Sequence, residues 1–155
     1  MLFILDFCRA MAKLVLNVDD LTDDFFEGTR MLGITASHKN YKFCWQLNNE
    51  LGYGFRLNPE IEILLRRKSR SYYFPIYQHH IKLTTLTHYL YNNSYDGEYL
   101  LPEFKHIDFL WLIKGDYLCD AQCNELIKNI KNLNGVQLVT EINHELIKNK
   151  SHLIF

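Results

Sequence analysis

From Phe55 to Leu65 the chain alternates between apolar and polar residues. Phe55, Leu57, Ile61, Ile63 and Leu65 fall on odd positions, and Arg56, Asn58, Glu60 and Glu62 on even ones. An extended backbone turns successive side chains to opposite faces, so this period of two predicts a strand with one face buried and one wet. Pro59 stands in the apolar register and has no N–H to donate, which points to an edge strand or a bulge early in it. Arg66 to Arg70 reads as a polar turn. Ser71 to Gln78 returns as a strand rich in Tyr and Phe, Lys82 to Asn92 as a third, and Asn93 to Gly97 as a turn. Strands joined by short polar connections make an antiparallel meander.

The remaining elements fit around that meander. Lys13 to Val18 and Met31 to Ala36 read as short strands, separated by an acidic loop or short helix, Asp19 to Glu27. Ser37 is a candidate N-cap for a helix whose apolar face is Tyr41, Cys44, Trp45, Leu47 and Leu51, stopped at Gly52. Phe109-Leu-Trp-Leu-Ile113 is continuously apolar, as expected of a strand covered on both faces. A helix from Cys119 to Leu133 places Cys123, Leu126, Ile127, Ile130 and Leu133 at helical spacing, and Val136 to Ile142 follows as a strand. Strand, helix, strand suggests a right-handed parallel crossover. Trp45 and Trp111 are expected to be buried, and the tail to dock Leu153-Ile-Phe155. The expected fold class is α+β: a mixed, mainly antiparallel sheet with two main helices packed on one face.

The totals agree with one globular domain. A chain of 155 residues with 48% hydrophobic and 23% charged residues is long enough to bury a core and is not compositionally disordered. We read 11–155 as a single α+β domain and 1–10 as an N-terminal extension or a start-site artefact, with Met11 as the alternative start. A net charge of −1 gives no global attraction to nucleic acid or anionic lipid. Cys8, Cys44, Cys119 and Cys123 make no secreted disulfide framework, because the chain is too long and their spacing too uneven. No apolar run approaches the roughly 20 residues that span a bilayer. The expected compartment is the cytosol.

Leu101-Pro-Glu-Phe-Lys-His-Ile-Asp-Phe109 is similar to the signature of the IPExxxVDY family, small bacterial proteins associated with Bacteroidetes. Pro102, Glu103 and Asp108 match identically; Leu101, Ile107 and Phe109 match by type. Leu32-Gly-Ile-Thr-Ala-Ser-His38, running into Tyr41 and Cys44-Trp45, also resembles the family's early strand–helix unit. The resemblance implies no activity and no catalytic residues, because none defines the family. Read physically, Pro102 ends the short strand Tyr99 to Leu101. Glu103 and Asp108 are placed to accept backbone N–H groups or pair with a cation, fixing the entry into the strand that follows.

Other residues invite chemistry and do not complete it. Glu103, His106 and Asp108 match no metal-ligand spacing. Asp19-Asp20 and Asp23-Asp24 read as a solvated acidic segment. Cys119 and Cys123 are not a CxxC pair, and His79-His80 on a strand point to opposite faces. No phosphate-binding or nucleophile motif occurs. No cofactor, metal or catalytic residue is therefore assigned, and the oligomeric state is left open. Arg66, Arg67, Lys68 and Arg70 beside Tyr73 have the ingredients of an RNA-binding loop, cations for phosphate and a ring for stacking. The leading expectation is a non-enzymatic accessory protein that binds a cytosolic protein partner. Tyr72, Tyr73, Tyr77, Tyr89 and Tyr91 of the meander would supply the interface.

Overall fold

The computed structural model describes residues 18–155. The expected strand at Lys13 to Val18 and the 1–10 extension lie outside them, except that Val18 opens helix α1 (Val18–Phe26). The elements that follow are β1 (Arg30–Ala36), α2 (Asn40–Glu50), β2 (Arg56–Arg67), β3 (Arg70–His80) and β4 (Thr87–Asn92). A two-stranded hairpin, β5 (Ser94–Tyr95) and β6 (Glu98–Tyr99), precedes β7 (Phe109–Lys114), α3 (Asp120–Lys131) and β8 (Val136–Ile142). Short 3₁₀ turns at Pro102–Phe104, His144–Leu146 and Lys150–Leu153 complete the chain.

One six-stranded sheet runs in the order β2-β3-β4-β7-β1-β8. The α+β class is as expected, with the meander β2–β3–β4 at one side. Every hydrogen-bonded neighbour is antiparallel. The expected crossover through α3 does leave β7 and β8 parallel, but β1 lies between them and pairs with both. That insertion is why no parallel pair forms. Among the described strands β2 lies at the edge, and its register with β3 shifts between Leu57 and Glu62, around Pro59. The third meander strand begins at Thr87 rather than Lys82. The preceding residues turn back on themselves, with Ile81 N–H donating to Leu86 O.

Two apolar layers sandwich the sheet. On one side α2 and α3 lay Phe43, Leu47, Cys123, Leu126 and Ile130 over Leu32, Ile34, Leu90, Phe109 and Trp111. On the other, Phe26, Leu100, Leu101, Ile107, Ile147 and Leu153 cover Met31, Ile63, Phe74, Tyr91, Leu110 and Leu112. β7 is buried on both faces because it sits between these layers. Gly33 lets the second side pack closely: a Cβ there would lie 2.5 Å from Ile107 Cδ1 and 2.8 Å from Ile142 Cδ1, so those side chains would have to shift. The tail docks there too, with Tyr91 Oη donating to Leu153 O at 3.1 Å.

Two local expectations are corrected. Lys39, not Ser37, holds the N-cap position of α2; Ser37 N–H instead donates to Gly135 O. Trp45 is exposed. Of the expected apolar face, Cys44, Leu47 and Leu51 do pack, joined by Phe43, whose ring stacks on Phe109 at 4.4 Å, while Tyr41 is exposed with Trp45. Trp111 is fully buried.

Candidate interaction surfaces

The signature segment is a junction between distant parts of the chain. Glu103 Oε1 accepts the backbone N–H groups of Lys148 and Asn149 at 3.0 and 3.1 Å, and its Oε2 accepts Asn149 Nδ2 at 2.8 Å. Burial works to raise the Glu103 pKa, but these hydrogen bonds outweigh it and hold the carboxyl below its ordinary value. Asp108 Oδ2 accepts Ala36 N–H at 2.9 Å, at the end of β1. His106 is exposed, and its carbonyl accepts Thr35 Oγ1 at 2.7 Å. Glu103, His106 and Asp108 thus take different partners and share no site. Leu101, Ile107 and Phe109 are buried, while Pro102 opens the 3₁₀ turn.

Sequence reasoning passed over the residue that organises this junction. Asn93, placed in a turn, is fully buried. Its Nδ2 donates to Phe104 O and Ile107 O, both at 2.9 Å, and its Oδ1 accepts Leu101 N–H at 2.9 Å.

At the hairpin tip, Lys68 and Ser69 both have positive φ, 48° and 63°, the conformation of a type I′ turn. The cations do not form one patch. Arg67 lies 3.6 Å from Glu98, Arg70 is paired with Asp96 and its guanidinium lies over Tyr72, while Arg66 and Lys68 are exposed. Tyr73 is exposed opposite Leu64. The other meander tyrosines do not join it, which corrects the expected tyrosine interface. Tyr91 is buried, and Tyr72, Tyr77 and Tyr89 are half-buried against the two layers. Neighbouring positions on a strand alternate faces, so residues 72 and 73 could not share one.

The outer face of α2 presents two exposed aromatic residues, Tyr41 at 70% and Trp45 at 62% exposure. One helical turn separates them, which puts both on one face. Lys39 and Lys42 are exposed at the same end of the helix.

The bulge in β2 opens a cleft of about 600 Å³, lined in part by Arg56, Gln78, His79, His80 and Lys82. Its histidines are tied to the fold. His79 Nδ1 accepts Gly54 N–H at 3.1 Å, and His80 Nδ1 lies 2.9 Å from Thr87 Oγ1. Behind them His88 is buried and its Nδ1 accepts Trp111 Nε1–H at 2.9 Å. Burial, with His79 adding to it, pushes the His88 pKa down to about 4. Burial likewise pushes the Cys44 thiol up to about 12. Cys123 is buried, whereas Cys119 caps α3 in a half-buried position. Among the described residues, no three His, Cys, Asp or Glu side chains are grouped as metal ligands, and no helix is long and apolar enough to cross a membrane.

Comparison of the chain with protein-family models and with curated proteins gives no match.

Proposed function

We propose that the protein is a non-enzymatic interaction module of the cytosol that binds another protein through the outer face of α2. The observation that carries this reading is the exposure of Tyr41 and Trp45 in a domain that buries Trp111 completely. Tryptophan and tyrosine are enriched where interfaces concentrate their binding energy, because a rigid ring buries much area at little entropic cost. With Lys39 and Lys42 beside the pair, the fitting partner has an apolar pocket rimmed by carboxylates. Kinship with the IPExxxVDY proteins, through Pro102, Glu103 and Asp108, belongs to the same proposal.

The test is a tagged pull-down with and without RNase, comparing wild type with Trp45→Ala and Lys42→Glu. A partner retained after RNase and lost with either variant, while melting is unchanged, supports the reading. Capture that ignores both substitutions overturns it.

A second reading, single-stranded RNA at the hairpin tip, is favoured by exposed Tyr73 near Arg66 and Lys68. Glu98 and Asp96 already engage Arg67 and Arg70. Two remaining cations correspond to a log–log salt slope of about −1.4. Binding with that slope, abolished by Arg66→Glu, would decide for RNA.

A further inference from the structure

Among the described residues, β2 leaves one edge of the sheet open. Its first half is protected by Pro59 and the bulge, devices that discourage strand addition. From Glu62 to Arg67 it is regularly paired with β3 on one side, and among the described residues no strand pairs with it on the other. The two-residue turn closes on the pair Arg67 and Arg70. Such turns close on a hydrogen-bonded pair, and these alternate along an antiparallel ladder. Residues 63, 65 and 67 therefore direct their N–H and C=O groups to β3, and 62, 64 and 66 direct theirs outward.

The side chains along this edge are self-complementary. Glu60, Glu62, Leu64, Arg66 and Lys68 are all exposed, and Glu62, Leu64 and Arg66, in the regularly paired stretch, share one face. The charges run from two negative through one apolar residue to two positive. Among the described residues, none of these four charged groups forms an ion pair with another side chain. Opposed residues in a two-fold antiparallel pair share a face, so the axis must pass through a residue. Centred on Leu64, it sets Glu62 against Arg66 of the second copy, Glu60 towards its Lys68, and Leu64 against Leu64. Centring on Ile63 or Leu65 sets Leu64 against a charged residue. Parallel pairing in register sets like charges together, which is unfavourable.

We infer that the protein forms a two-fold homodimer by antiparallel addition of β2 to β2, centred on Leu64, joining two sheets into one. The outward N–H and C=O groups of 62, 64 and 66 supply the ladder. The charge pattern sets its direction and register. This surface is separate from the outer face of α2, so dimer formation and partner capture succeed or fail independently.

Sedimentation velocity of the full chain over a wide concentration range tests it, with folding followed by circular dichroism. Wild type is expected to dimerise, more weakly at high salt. Glu62→Arg or Arg66→Glu alone replaces two opposite-charge pairs with like-charge contacts and raises the dissociation constant roughly tenfold or more. The double variant, with both reversed, restores the dimer. Leu64→Pro removes only an outward N–H and gives a folded monomer. A wild-type monomer at every concentration overturns the inference. So does a dimer indifferent to both single reversals, which would place the contact elsewhere.

Discussion

His88 is a buried imidazole whose protonation state is dictated by its neighbour. Trp111 Nε1 can only donate, so His88 Nδ1 must accept, and the neutral ring carries its proton on Nε2. Protonation would bring two donors face to face. The folded pKa of about 4 lies below the ordinary value of 6.5, so the unfolded chain binds more protons between those values. Stability from this group is complete above pH 6.5 and is lost as pH falls towards 4. The shift corresponds to about 3 kcal/mol. His88→Gln keeps an acceptor for Trp111 and should flatten this part of the stability profile, read from urea midpoints against pH. Little of this was legible beforehand, because His88 lies in a strand next to other polar residues and no period marks which one is enclosed. Asn93 was hidden similarly: a turn asparagine and a buried one look alike until the backbone groups around it are known. Glu103 and Asp108 stood out more clearly, since carboxylates beside a proline turn have nearby N–H groups to accept.

Elements were easier to foresee than their orientation. The alternation from Phe55 to Leu65 located β2, and Pro59, read as the sign of an edge strand or a bulge, lies where the register with β3 shifts. The five apolar residues at 109–113 located the central strand. α2 was found with Cys44, Leu47 and Leu51 rightly on its buried face, but Phe43 takes the core position expected of Tyr41 and Trp45, because all three are aromatic and helical spacing fits either choice. Contact with Phe109 decides between them, and that contact is 66 residues away in the chain. The β2–β3 turn offers a direct test of local conformation. Ser69 has φ 63°, where a side chain is disfavoured and glycine is not. Ser69→Gly should therefore raise stability by about 1 kcal/mol, measured by chemical denaturation at fixed protein concentration. An unchanged or lower midpoint would mean the turn is held in this conformation at no local cost.

At the scale of the molecule, the sheet needs both of its covers, and the C-terminal tail is part of one. Leu153 is fully buried, its carbonyl accepts the Tyr91 hydroxyl, and Phe155 lies 4.8 Å from the ring of Tyr89. Ending the chain after Asn149 should cost about 3–5 kcal/mol, a large share of the 5–15 typical of a domain, and a thermal melt would show it. Melting at the wild-type temperature would show that the second layer closes without the tail. The central place of β1 bears on how this chain is made. It is translated well before its neighbours in the sheet, residues 109–113 and 136–142. β2 and β3 can zip together locally as soon as they emerge. β1 cannot, and closing such long loops is slow. At typical translation rates the interval from β1 to the end of β8 is on the order of ten seconds. Throughout it, Leu32 and Ile34 have water where their core will be, so a nascent chain stalled before β7 is the form in which chaperones would be needed most.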